Sequence, residues 1–317
     1  MEFYGVNALL IEQYIEFKRS MGYAFDNAYT FKMFDNFTIK NGATSIGLTK
    51  GLAIKWAEKR PNEADVTRYK RVNTIINFSI YLNQLGYPSH IPRQLKVYKS
   101  TFTPYIFSKE ELKLFFDACD TIEVKGQTTM KYILPVVFRM IYGCGLRVSE
   151  ALALKCEDVN LDEGYITIRE SKNGCDRMLP LSDSLKNVCK QYSKYCLHLQ
   201  SPNDYFLKQK NNEKYASDTV YRWFRKILWK AGIPHGGKGM GPCVHSFRHS
   251  FSVHSLAEMS RQGLDLYYSL PILSNYLGHS SLEATDKYVR LTSDMYPELI
   301  QEVNSLCSYL FPEVTLP

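Results

Sequence analysis

His245-Ser246-Phe247-Arg248-His249, Leu277-Gly278-His279-Ser280-Ser281 and Thr285-Asp286-Lys287-Tyr288 place three histidines, an arginine, a lysine and a tyrosine within 44 residues. Three positions separate His245 from Arg248, so a helix puts both on one face. Nine positions separate His279 from Tyr288. Upstream, Gly145-Leu146-Arg147-Val148-Ser149-Glu150 supplies a second arginine, with a carboxylate three positions on that can brace it from the same helical face. Between the two arginines, Tyr165 to Ile168 has strand character, Ser171-Lys172-Asn173-Gly174 reads as a turn, and Arg177 to Leu181 runs back. The spacing therefore predicts a β-hairpin over Gly164–Leu181, with Lys172 at its tip.

A phosphodiester resists cleavage because its charge repels nucleophiles and its alkoxide leaves poorly. Neutralising the phosphate oxygens, holding an attacker in line and protonating the departing oxygen each lower that barrier. Arg147 and Arg248 suit the first need, since a guanidinium offers a planar fork of donors and keeps its charge. Tyr288 is the candidate nucleophile. A phenol has an ordinary pKa of about 10, so it must lose its proton as it attacks. His245 is the candidate base or hydrogen-bond partner for that phenol, and His279 a second donor to the phosphate. The acidic pairs Glu157-Asp158 and Asp162-Glu163 flank an apolar strand and do not form a ligand array for Mg²⁺, so neither a metal nor any other cofactor is expected.

These motifs, spread over about residues 108 to 295, resemble those of the tyrosine recombinases of the phage-integrase and Xer type. The resemblance implies DNA strand cleavage and rejoining through a phosphotyrosine on the 3′ phosphate, with a free 5′ hydroxyl and no need for ATP. It also implies that Lys172, at the family's spacing before Arg177-Met178-Leu179-Pro180-Leu181, is the general acid toward the leaving 5′ oxygen. Two positions depart from the family pattern: Cys175 stands where a basic residue is common, and Phe247 where leucine is commoner. Neither is a charged catalytic group.

Organisation along the chain fits the same picture. Leu9, Leu10, Ile11, Tyr14, Ile15 and Phe17 repeat at helical spacing, as do Phe31, Phe34 and Phe37. Thr49 can cap a short helix with Leu52, Ile54 and Trp56; Asp65 can cap a longer one with Val66, Tyr69, Val72, Ile76 and Ile80 facing inward. Around Pro92, Lys96, Lys99 and Pro104 periodicity disappears, and Ser108 with Glu111 forms a capping box that opens the next helix. The expected fold is mainly α. It comprises a helical core-binding, SAM-like domain at 1–97, a linker at 98–107, and a mostly helical mixed α/β catalytic domain at 108–317 with a small hairpin sheet. Further helices are expected over 128–142, 182–196, 217–231, 244–261 and 282–289. An amphipathic stretch at 296–310 is, by family analogy, exchanged between protomers.

Composition bounds the partners. The chain carries 39 Lys and Arg against 32 Asp and Glu, a net +7. Residues 1 to 100 hold 14 of the bases against 8 of the acids, so the first third is the basic part. Such charge attracts a polyanion by counterion release, although an ordinary basic protein reads the same way on charge alone. Lys55, Lys59, Arg68, Lys70, Arg71, Lys96 and Lys99 are the expected DNA contacts. The 8 cysteines contain no CxxC pair and read as free thiols of a reducing compartment. No apolar run of membrane-spanning length occurs, and residue 1 leads almost directly into the first helix, so a cytoplasmic protein without a further domain ahead is expected; the family resemblance implies a nucleoid-associated one of bacterial, phage or mobile-element origin. The family resemblance implies double-stranded recombination sites as partner, bound by a homo-tetramer or by a heterotetramer with a related recombinase. Two alternatives stay open at this point: DNA relaxation of the type IB topoisomerase kind, and a DNA-binding module without activity.

Overall fold

Four amphipathic helices make up the basic first third: α1 (Ala8–Ser20), α2 (Ala28–Lys40), α3 (Lys50–Ala57) and α4 (Asp65–Gln84). The structure, a computed structural model, describes residues 2–23, 28–96, 103–126, 128–169, 176–196, 201–237, 240–279 and 281–296. Lys99, Lys172 and the expected stretch beyond Tyr296 lie outside them. Internal contacts divide the chain into two units, Met1–Thr101 and Phe102–Pro317.

The first unit closes on aromatic rings. Tyr14, Phe31 and Phe78 meet edge to face at 5.3–5.7 Å, and Phe34 meets Trp56 at 5.3 Å, an arrangement that adds to the burial of large apolar surfaces. Thr49 caps α3 by accepting from the Leu52 amide. The helical stripes are shifted from expectation by part of a turn. Leu9, Phe17 and Ile80 are exposed; α4 buries Val72 and Ile76 as expected, with Ile75, Phe78 and Leu82 in place of the half-buried Val66 and Tyr69 and the exposed Ile80. Asp65 is the first residue of α4 and Ala64 its cap, without a side-chain bond.

The second unit begins with the expected capping box: Ser108 Oγ accepts from Glu111 N at 3.1 Å and Glu111 Oε2 from Ser108 N at 2.9 Å, opening α5 (Lys109–Asp120). Then follow α6 (Met130–Gly143), the short α7 (Val148–Ala153), strands β1 (Val159–Asn160), β2 (Tyr165–Ile168) and β3 (Arg177–Pro180), α8 (Asp183–Cys196), α9 (Ser217–Lys230), α10 (Ser246–Arg261), α11 (Leu266–Leu277) and α12 (Glu283–Met295). The expected hairpin is present and gains β1, giving a three-stranded antiparallel sheet in the order β1-β2-β3, with Ile166 opposite Leu179 and Ile168 opposite Arg177. Ile166 and Ile168 point into the core.

Phe247 sits where the rings converge, stacked on Phe107 at 4.9 Å and edge-on to Phe115 at 4.9 Å. It anchors α10, which packs against α6, α11 and α12. The sequence pattern does not reveal α11, because Pro271 lies inside it. Proline removes one helical donor at a cost of about 3 kcal/mol. Burial of Leu270, Leu273 and Leu277 offsets that loss, Asp265 caps the start by accepting from Tyr267 N and Tyr268 N, and left-handed Gly278 closes the end. Among the described residues no helix is long and apolar enough to cross a membrane.

Candidate active site

Gly145 turns the chain from α6 into α7 with φ 59°, and a Cβ there would lie 2.6 Å from Phe251 Cδ1. Only glycine meets both demands at little cost. The turn delivers Arg147 as the extended residue that caps α7. Its amide donates to Glu150 Oε2 at 2.9 Å and its Nη1 to Glu150 Oε1 at 2.6 Å, which is the bracing expected from their spacing. The same carboxylate receives Arg177 from β3, with Nη2 to Oε2 at 2.8 Å and Nη1 to Oε1 at 3.3 Å. Arg248 Nη1 approaches Oε2 to 3.9 Å. Burial pushes the Glu150 carboxyl up, but hydrogen bonds from Arg177, then Arg147, together with the Arg177 charge, hold it below its usual value.

Arg248 is 1% exposed. Its Nη1 donates to Gly145 O and its Nη2 to Leu277 O, each at 2.7 Å, so one guanidinium ties the α6–α7 turn to the end of α11. Burial, and next the charge of Arg147, lower its pKa to about 10, which leaves it charged at neutral pH. Three guanidiniums thus meet one carboxylate.

Tyr288, on α12, is 1% exposed. Its hydroxyl lies 2.7 Å from Nδ1 of the buried His249. Burial raises its pKa, against the opposing influence of the Ser252 hydroxyl and the charges of Arg248 and Arg147. The His279 ring lies parallel to the phenol at 6.4 Å, and His279 Nδ1 pairs with Thr285 Oγ1 at 2.7 Å. Lys287 Nζ sits 5.1 Å from the phenol centroid. Burial, followed by the charge of Arg248, lowers the Lys287 pKa. Desolvation, with Arg248 and Arg147 among the charges, takes His279 to about 4. Solvent reaches one side of His245, yet the protein around it and then Arg248, Lys287 and Arg147 bring it to about 4 as well. His249 falls to about 2, through burial first and then the fields of His245 and Lys287. All three imidazoles are neutral at pH 7.

Arg147, Glu150, His245, Arg248, His279 and Tyr288 are therefore brought together from four helices and the turns that lead into them. The partner of the phenol is a correction: His249 takes the place expected for His245, which packs edge-on against His249 at 4.6 Å. The two histidines share one face of α10 but stand four residues, about 6 Å, apart along its axis, and Tyr288 of α12 meets α10 at the turn of His249. Spacing alone does not single out His249, which stands beside the His245–Arg248 pair without extending it. Arg177 is equally hidden, because its role depends on a contact with the chain-distant Glu150 that strand alternation does not announce.

In the first unit Lys55, Lys59, Lys70 and Lys96 are exposed, with Lys55 Nζ 2.6 Å from Asn41 Oδ1 and Lys59 Nζ 2.6 Å from Asp65 Oδ1. Arg68 is half-buried and donates through Nε to Ala57 O. Arg71 departs from its expected role as a DNA contact. It is 2% exposed, paired with Glu63 at 2.8 Å, and donates to the carbonyls of Trp56 and Glu58. Its guanidinium holds α3, the following turn and α4 together.

The phage integrase family model matches residues 106–295. The tyrosine recombinase XerA of Pyrococcus furiosus is 31% identical over 207 residues, covering 64% of this chain and 63% of XerA, so just under two thirds of that relative is matched. A putative integrase/recombinase, y4rB, of Sinorhizobium fredii is 28% identical over 303 residues, 92% of this chain and 94% of that one. Among solved structures, the XerH site-specific recombinase bound to palindromic difH substrate in a post-cleavage complex has a TM-score of 0.61 at 18% identity, covering 88% of this chain and 78% of XerH. That likeness establishes the fold. With most of the second unit inside the family match, and the arginines, histidines and tyrosine of the motifs gathered at one place, the chain belongs to the phage integrase family.

Proposed function

We propose that this chain is a site-specific DNA recombinase that cleaves and rejoins DNA strands through a 3′-phosphotyrosine formed on Tyr288. The observation that carries this reading is the charge imbalance beside the phenol: Arg147, Arg177 and Arg248 converge on the single carboxylate of Glu150. Buried cations in excess of their counter-ions are costly, and a phosphate diester supplies the missing negative charge. Arg147 and Arg248 then stabilise the charge that grows on the phosphate oxygens during attack.

In the reaction the Tyr288 hydroxyl gives its proton to Nδ1 of His249, 2.7 Å away, as its oxygen bonds to phosphorus; the bond to the 5′ oxygen breaks, and that oxygen takes a proton. Lys172 is the proton donor by family resemblance. His279, neutral and held through Nδ1 by Thr285, keeps its other ring nitrogen available to donate to the phosphate. Rejoining reverses these steps, and because the phosphodiester energy is retained in the tyrosyl ester, no nucleotide is consumed.

Duplex recombination sites are the partner, bound by a tetramer on two DNA segments. The exposed Lys55, Lys59, Lys70 and Lys96 give the first unit cations for phosphates. Comparison with integrases and recombinases favours recombination over relaxation. The test is incubation with plasmids carrying paired copies of the DNA that flanks the gene. Site-dependent exchange, abolished in Tyr288→Phe, supports the reading; relaxation of any supercoiled plasmid without exchange overturns it in favour of a topoisomerase.

A further inference from the structure

We infer that Arg177 is a positioning residue for strand cleavage: it serves as the counter-ion of Glu150 and so leaves the charge of Arg147 directed at the DNA phosphate. The inference rests on the recombinase reading above and assigns a role to a side chain outside the six-residue catalytic set.

Arg147 alone with Glu150 would be a neutral pair. A carboxylate 2.6 Å from Nη1 and bonded to the Arg147 amide fixes the guanidinium, but also cancels its charge. Arg177 changes that balance. It takes both Glu150 oxygens end-on, at 2.8 and 3.3 Å, with 9% of its side chain and 7% of the carboxylate's exposed. Of the influences that lower the Glu150 pKa, the Arg177 hydrogen bond stands first. Glu150 can then orient Arg147 without neutralising the site, because the group of four side chains, Arg248 included, keeps a surplus of two positive charges.

The third donor of Arg177 has a second consequence. Nε donates to Tyr276 O at 3.0 Å, and a Cβ on Gly278 would lie 3.0 Å from Arg177 Nη1. The guanidinium therefore fills the space that glycine leaves at the end of α11, immediately before His279. One side chain of β3 thus sets both the arginine brace and the start of the histidine loop.

The experiment measures single-turnover formation of the covalent protein–DNA adduct on a nicked suicide duplex, at saturating DNA so that affinity does not enter. Arg177→Gln is expected to slow adduct formation at least about tenfold, the scale of losing one preorganised electrostatic contribution, and Arg177→Lys to stay within about threefold of the wild type. The decisive variant is R177Q with E150Q: with Glu150 neutral, Arg147 regains its charge, and the double variant is expected to be faster than R177Q alone. A purely structural role predicts the reverse, since two bracing groups are then weakened. A wild-type rate for R177Q, or a double variant no faster than R177Q, overturns the inference. Should R177Q fail to fold by circular dichroism, R177K decides: a loss beyond about threefold there, where the charge is kept, overturns it. If wild-type protein gives no adduct on any duplex, the recombinase reading itself fails.

Discussion

Replacing Glu150 by alanine would leave Arg147, Arg177 and Arg248 facing one another with no carboxylate among them. The deleted group accepts four hydrogen bonds, at 2.6, 2.9, 2.8 and 3.3 Å, and lies 3.9 Å from Arg248. With Glu150 7% exposed and Arg248 1%, the partners cannot simply turn to water. Removing one member of a buried ion pair costs about 3–5 kcal/mol. With a urea dependence of about 2–3 kcal/mol per molar, the unfolding midpoint falls by about 1–2.5 M. The loss carries a signature beyond its size. Sulfate, which can occupy the vacated place among the guanidiniums, should recover more stability in E150A than in the wild type at equal ionic strength. Equilibrium urea unfolding followed by tryptophan fluorescence and circular dichroism, in chloride and in sulfate, measures both. A loss below about 1 kcal/mol, the range of exposed pairs, or an equal response to sulfate, would refute the account of Glu150 as the buried hub of the arginine cluster.

Three other outcomes are expected. His249 has a pKa of about 2 in the folded chain against an ordinary 6.5, so below pH 6.5 the unfolded chain binds the extra proton; its contribution to stability is full above that pH and is lost at about 1.4 kcal/mol per unit as the medium acidifies toward pH 4, with His245 and His279, lowered to about 4, adding losses of the same sign. Unfolding at pH 7, 6 and 5 checks this, and His249→Gln should reduce the slope by about 1.4 kcal/mol per unit; an unchanged slope would contradict it. Gly145→Ala combines a left-handed φ of 59° with a Cβ 2.6 Å from Phe251, whereas Gly22→Ala has φ 82° and open space. Thermal melting should therefore place the first well below the second, whose cost is about 1–2 kcal/mol from backbone strain alone. Lys70→Ala should reduce the slope of log affinity against log salt by about 1, while Arg71→Met should lower stability instead, because its guanidinium is buried.

Local chemistry makes much of the site legible in the sequence. The pairing of Arg147 with Glu150 follows from helical spacing, and the Ser108–Glu111 capping box follows from two side chains three apart. Both are interactions within a single turn. What the sequence does not reveal is set by chain-distant packing. Arg71 and Lys70 are neighbours with similar side chains, yet one is buried against Glu63 and the other faces water, because the side of α4 that meets α3 is decided by Trp56. His249 reaches the phenol only because α12 crosses α10, and Arg177 reaches Glu150 only because the sheet sits beside α7. The two-residue β1 is too short to show alternation, and Pro271 hides α11 although its caps, Asp265 and Gly278, flank it at the right distance.

The most direct test of the central claim is to trap the protein on a nicked duplex carrying its cleavage site, digest the adduct, and locate the nucleotide by mass spectrometry. The account predicts a 3′-phosphate esterified to the peptide containing Tyr288, and no adduct in Tyr288→Phe. A nucleotide on another residue, or an undiminished adduct in the phenylalanine variant, would contradict it.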